Sequence, residues 1–85
     1  MKWYLYIVIC RDGSLYTGIT TNIKRRLLEH NSGIGAKSLL GKLPVSLVYG
    51  EVFLNQKTAA KREREIKDWK REYKLKLIKR GLPRN

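Results

Sequence analysis

Five side chains in this sequence could do chemistry as well as pack: Tyr6 and Tyr16, although tyrosines in strands ordinarily just pack, and Arg26, His30 and Glu63. Arg26 and His30 lie in the stretch "LYTGITTNIKRRLLEHN", residues 15–31, four positions apart and so one helical turn from contact. At about 100° per residue, Ile23, Arg26, Leu27 and His30 share one side of a helix, while Lys24, Arg25 and Glu29 point elsewhere. An arginine and the chain's only histidine among apolar residues have two readings. They sit at the rim of a core, the arginine stem packed and its head in water, or they form the cationic wall of a cleft. Glu63 poses a sharper problem, because it falls between Ala59, Ala60 and Ile66 on the stripe that must face the rest of the fold. An unpaired carboxylate there is costly and has to meet a cation or be protonated. That cation is either an arginine at the core edge or a hard metal ion such as Mg²⁺.

These residues need a sheet and helices to position them. "WYLYIVIC" is aromatic and β-branched on both alternating faces, which suits a central strand covered on each side. "RDGS" supplies a turn, "LYTGIT" returns as a second strand, and "VSLVYGEVF", residues 45–53, is a third. The turn sets where the phenols point. A two-residue Asp12-Gly13 turn pairs Tyr6 with Ile19 and puts Tyr6 and Tyr16 on opposite faces. A three-residue turn, Arg11-Asp12-Gly13 with Gly13 left-handed, pairs Tyr6 with Gly18 and Val8 with Tyr16, so both phenols share a face. Gly18 would then leave open space in front of Tyr6.

Thr21 or Asn22 caps the first helix. "SGIGAKSLLGKLP" reads as a glycine-rich loop with room for a short helix. It misses the phosphate-loop spacing, because Ala36 stands where a glycine is required. From Lys57 the pattern is helical, with Ala59, Ala60, Ile66, Trp69, Tyr73 and Leu77 on one side and Glu65, Asp68 and Glu72 on the other. Lys70 near that stripe predicts a bend or an end before "REYKLKLIKR" resumes. The last residues, "GLPRN", read as a loose end.

With 85 residues the chain has room for one domain, 1–85, with a modest core. Its 19 Lys and Arg against 7 Asp and Glu give a net charge of +12, which points to a polyanion, most simply nucleic acid. Residues 57–85 carry much of that excess. An anionic membrane is the rival partner, but the basic segment lacks the broad apolar face an interfacial helix needs. Cys10 alone excludes an internal disulfide framework and suits a cytoplasmic protein with a buried thiol. One cysteine and one histidine do not build the usual four-ligand zinc site. "WYLYIVIC" is too short to span a bilayer.

Taken together, these residues resemble the GIY-YIG nuclease family, in particular its small single-domain bacterial members. The two tripeptides appear as Tyr4-Leu5-Tyr6 and Tyr16-Thr17-Gly18, followed in order by Arg26, His30 and Glu63, with "LYTGITT", "RR", "EH" and "GIGAK" between them. The resemblance covers nearly the whole chain. It implies an α+β fold, a three-stranded antiparallel sheet flanked by helices, and hydrolysis of phosphodiester bonds in DNA. It also implies that Glu63 holds a single divalent metal, Mg²⁺ or Mn²⁺, and that Tyr6 is the general base for the attacking water. Tyr16, Arg26 and His30 would orient the water and stabilise charge. A phenol with pKa about 10 is a poor base until cations lower it, which the resemblance assigns to Arg26 and the metal. No separate DNA-binding domain accompanies these elements, so sequence specificity would come from a protein partner, from DNA structure, or be absent. The rival in another class is a non-catalytic, basic nucleic-acid-binding module that keeps the fold.

Overall fold

The computed structural model describes residues 1–81. Residues 82–85, most of the loose end expected from sequence, lie outside the described residues. Three strands, β1 (Trp3–Ile9), β2 (Leu15–Thr20) and β3 (Ser46–Phe53), form one antiparallel sheet in the order β2-β1-β3. Three helices complete the α+β fold: α1 (Ile23–Asn31), α2 (Gln56–Lys67) and α3 (Arg71–Arg80).

β1 is the central strand, and both its faces are covered. Leu5 and Ile7 point into a cluster with Ile66, flanked by Trp69, Leu77 and Ile78 from the region of α2 and α3. Tyr6, Val8 and Cys10 point the other way, toward Leu39 and Val45, with Ile23 and Leu27 of α1 alongside. The alternation of a strand thus divides the core into two layers on opposite sides of one sheet.

The hairpin takes the three-residue turn. Gly13 has φ +88, its N–H donates to the Cys10 carbonyl at 2.9 Å, and the Cys10 N–H donates to Ser14 at 2.8 Å. Only glycine adopts that left-handed backbone without strain. Asp12 fastens the turn by accepting from the N–H and hydroxyl of Ser14, at 3.0 and 2.6 Å. Tyr6 therefore lies opposite Gly18, and Val8 opposite Tyr16. On the other side of β1, a bulge at Val48 lets Tyr49 pair with Ile7 while Leu47 pairs with Val8.

Asn22 caps α1, its side chain accepting the Arg25 N–H at 3.0 Å, and Asn55 caps α2 by accepting the Thr58 N–H at 2.9 Å. α2 stops at Lys67, and Lys70 is extended before α3 begins. This break corrects one expectation. Running the helical period through from Ala59 puts Tyr73 on the buried stripe, yet it is 51% exposed. The period restarts at the break, so Leu77 and Ile78 become the residues that α3 turns to the sheet.

Candidate active site

The register decides the geometry of the site. Because cross-strand partners point to the same face, Tyr6 of β1 and Tyr16 of β2 both face the α1 layer. Their ring centroids are 6.3 Å apart. α1 lies over the same face and brings in His30, 5.9 Å from the Tyr6 ring and 5.6 Å from the Tyr16 ring. His30 is 1% exposed and hydrogen-bonds through Nε2 to the Tyr6 hydroxyl oxygen at 2.7 Å.

Gly18 does not leave a void in front of Tyr6, as the sequence suggested. The phenol itself fills that space, and a Cβ at position 18 would come within 2.6 Å of its hydroxyl oxygen. Gly18 is therefore the floor on which the tyrosine lies. A side chain there would push the hydroxyl out of line with His30.

The other ring nitrogen of His30 settles which way that hydrogen bond runs. The Ala36 N–H donates to Nδ1 at 3.3 Å, so Nδ1 carries no proton. A neutral imidazole then bears its proton on Nε2, and His30 donates to Tyr6 rather than accepting from it. His30 is held neutral: burial lowers its pKa, and the positive charge of Arg26 lowers it further. The Tyr6 oxygen has one cationic neighbour beside the neutral imidazole, because Arg26 faces it closely enough to favour the phenolate. Arg26 is anchored by Glu29, whose carboxylate accepts from Nη1 at 2.9 Å, and this pair holds the arginine's pKa up.

The Ala36 amide reaches the ring because the preceding residue is Gly35. A Cβ at position 35 would lie 2.2 Å from His30 Nδ1 and 2.8 Å from the His30 Cα. The glycine-rich connection is otherwise an ordinary loop with one short 3₁₀ turn, Lys37–Leu39. Asn31 clamps its far end, accepting the Val45 N–H at 2.8 Å and donating to the Val45 carbonyl at 3.1 Å. Gly35 and Ala36 were not among the expected site residues. The signal was the close spacing of two glycines just after His30, which marks a place where backbone must approach a side chain.

Tyr6 corrects an expectation about charge. Its hydroxyl is pushed up to about 12, because burial outweighs everything else, with the neighbouring Tyr16 adding to it. Arg26 works in the opposite direction and does not win. Glu63 on α2 acts on the same hydroxyl, its negative charge opposing ionisation. The arginine at the core edge is not its partner. Glu63 pairs instead with Lys67 on its own helix, at 3.2 Å, the side chains being 19% and 50% exposed. Such a half-solvated i,i+4 pair is weak and readily exchanged.

Among the described residues, no group of three or more His, Cys, Asp or Glu side chains could hold a metal ion. A closed, all-protein metal cage therefore does not fit the described residues. A single reachable carboxylate does fit Mg²⁺, which keeps most of its waters and takes one or two carboxylates together with substrate phosphate oxygens. Among the described residues, no helix is long and apolar enough to cross a membrane.

The chain matches the GIY-YIG catalytic domain over residues 2–76. It is 52% identical over 80 residues to the UPF0213 protein SSP2268 of Staphylococcus saprophyticus, an alignment covering 94% of this chain and 98% of that protein. The UPF0213 protein HQ_3675A of Haloquadratum walsbyi is 50% identical over 82 residues, covering 96% and 92%. Among solved structures, the solution NMR structure of the UPF0213 protein BH0048 from Bacillus halodurans superposes with a TM-score of 0.63 at 42% identity, covering 98% of this chain and 89% of that one. The solution NMR structure of EF2693 from E. faecalis gives 0.64 at 37% identity, covering 93% and 84%. With the fold, the register and the family match in agreement, the chain belongs to the GIY-YIG nuclease family, alongside the UPF0213 proteins.

Proposed function

We propose that this chain, acting as a single domain over residues 1–85, is a cytoplasmic endonuclease that hydrolyses phosphodiester bonds in DNA, with low sequence specificity and dependence on Mg²⁺ or Mn²⁺. The observation that carries this reading is the convergence of Tyr6, Tyr16, His30 and Arg26 on one sheet face, around one phenolic oxygen. Packing alone does not require two phenols, an imidazole and a guanidinium to meet.

Tyr6 is the general base in this reading. Its oxygen accepts the proton of the attacking water once its own proton has left. At a pKa of about 12, roughly one molecule in 100,000 holds the phenolate at neutral pH. The Nε2–H of His30 and the guanidinium of Arg26 both face that oxygen, so they stabilise the phenolate when it forms. His30 cannot take the proton itself, because its free lone pair is on Nδ1 and is engaged by Ala36. Tyr16, packed against both rings, orients the water, and Arg26 also meets charge developing on the phosphate oxygens. Glu63 is the metal ligand; the ion it would hold supplies charge stabilisation at the scissile phosphate. The Lys and Arg residues of α2 and α3 favour a phosphate grip, with specificity set by a protein partner or by DNA structure.

A plasmid-nicking assay with and without Mg²⁺ or Mn²⁺ tests the reading, with Glu63→Gln as the central variant. Glu63→Gln keeps the shape and removes the charge, so cleavage should vanish while metal-free DNA affinity is kept or slightly raised. Its pair with Lys67 is half-solvated, so melting should shift by less than about 1 kcal/mol in equivalent stability. Wild-type cleavage by Glu63→Gln would remove Glu63 from the metal site. Wild-type protein that cleaves no nucleic acid with either metal would leave a binding module.

A further inference from the structure

On the sheet face opposite the tyrosine–histidine cluster, α3 and Trp69, which lies in the break after α2, line a concavity of about 390 Å³. It is lined by Trp69, Tyr73, Lys76, Leu77 and Arg80. Two aromatic rings, one aliphatic floor and two cationic side chains in one hollow are more than packing against the sheet requires. Trp69 is held from one side, where the Arg62 guanidinium sits 5.4 Å from its ring centroid. Arg62 is itself fixed by two hydrogen bonds to Glu51, each 3.0 Å, and one to Glu65 at 3.2 Å. The indole is therefore oriented before any ligand arrives. Tyr73 is 51% exposed, and the Lys76 ammonium lies 5.3 Å from its ring centroid, a solvated contact that a flat ligand can displace.

We propose that this hollow is a docking site for unpaired nucleobases, and that the substrate is therefore nucleic acid with a single-stranded segment. The occupant must be flat, to use the rings, and polyanionic, to suit a chain of net charge +12 with cations at the rim. Bases within a duplex are stacked on one another and cannot offer their faces to Trp69 or Tyr73. The position of the site supports the same conclusion. A strand held here has to turn round the sheet edge to reach Tyr6, on a molecule about 30 Å across. Duplex DNA, stiff over about 150 base pairs, does not bend so sharply without large cost, whereas a single strand does. The proposal rests on the nucleic-acid part of the reading above but not on cleavage.

The test measures binding with divalent cations chelated, so it stands whether or not the protein cuts. The Trp3→Phe protein leaves Trp69 as the only tryptophan. A thymidine oligonucleotide should quench its fluorescence, and a duplex of equal length should do so much less at the same salt. Tyr73→Ala is the decisive variant, because an exposed side chain can be removed without unfolding the helix. It should weaken single-strand binding about 5- to 100-fold, the range base–aromatic stacking carries, and leave the salt slope unchanged, since no charge is lost. Trp69→Ala should do the same, with melting recorded as a control because Trp69 also packs on the sheet. Single-strand affinity unchanged in Tyr73→Ala would overturn the proposal. Equal losses for single strand and duplex would also overturn it, leaving a phosphate grip, as would a wild-type dimer that Tyr73→Ala dissociates, which would make a second copy the occupant.

Discussion

Gly35→Ala adds one methyl group at the point where the loop touches His30, and its cost can be worked from distances. The new Cβ would stand 2.2 Å from Nδ1, 3.0 Å from Cε1 and 2.8 Å from the Cα of His30. Swinging the ring away cannot relieve this, because one of the colliding atoms is backbone. The ring is also fully enclosed and tied to Tyr6 at 2.7 Å. The loop must therefore retreat, at about 1–3 kcal/mol for overpacking. Its retreat also withdraws the Ala36 N–H from Nδ1, leaving a buried acceptor with a net loss of about 1 kcal/mol. A total of roughly 2–4 kcal/mol should lower the melting temperature by about 10–25 °C in a domain of this size. Imidazole ¹⁵N spectra give the readout that stability alone would not move. In the wild type, Nδ1 should be bare and Nε2 protonated; in Gly35→Ala the two tautomers should mix, and any cleavage should fall with the ordered fraction. A variant that melts within a degree or two of wild type, with an unchanged ¹⁵N pattern, would refute the reasoning.

Tyr6→Phe should cost about 1–3 kcal/mol, because it leaves the buried Nε2–H of His30 without its acceptor. It should also abolish cleavage without changing DNA affinity; nicking at the wild-type rate would remove Tyr6 as base. Stability should fall as pH drops below about 6.5, since the folded-state pKa of His30 is lowered and the unfolded chain takes up the proton first. At the alkaline end the sign reverses: Tyr6 and Tyr49 are both raised to about 12 by burial, so stability should be lost between about pH 10 and 12. Denaturant titrations across pH check both limbs, and a flat acid limb would contradict the buried neutral histidine. DNA affinity should fall steeply with salt, and each Lys or Arg removed from α2 or α3 should flatten the log–log slope by roughly 1.

The parts of the fold that were legible in the sequence are those set by local rules. Apolar residues on both faces of "WYLYIVIC" mark a strand that must be central, and Asn22 sits where a capping oxygen is needed. The hairpin was legible only as a pair of alternatives, because two- and three-residue turns both use Asp12 and Gly13. What selects between them is tertiary: the three-residue turn puts Tyr16 into the α1 layer with Tyr6 and Val8, and Leu15 and Ile19 into the other layer with Leu5 and Ile7. Tyr73 was misplaced for a related reason. A period carried through a helix break predicts the wrong face, and nothing local to residues 68–70 says through what angle α3 turns. The Ala36 amide leaves only an indirect mark, the two glycines just after His30, since backbone donors have no letter in a sequence.

Glu63 and Tyr6 show how a correct position can still carry an unforeseen charge. Glu63 does lie toward the core, but its partner is the flexible Lys67 one turn on, an exchangeable ion pair rather than a buried lock. Tyr6 lies where a base is wanted, yet burial raises its pKa to about 12, against the pull of Arg26. On the proposed reading these two facts belong together. The Glu63 charge opposes ionisation of Tyr6, so any cation that neutralises Glu63 removes part of what keeps the phenol protonated. Replacing Glu63 by Gln should then lower the Tyr6 pKa in the free protein, even as it destroys the metal site. Ultraviolet titration of the phenolate band would measure it, with Tyr6→Phe as the blank. An unchanged or raised Tyr6 pKa in Glu63→Gln would show that the carboxylate and the phenol are not electrostatically coupled, and Glu63 would then have no demonstrated tie to the cluster around Tyr6.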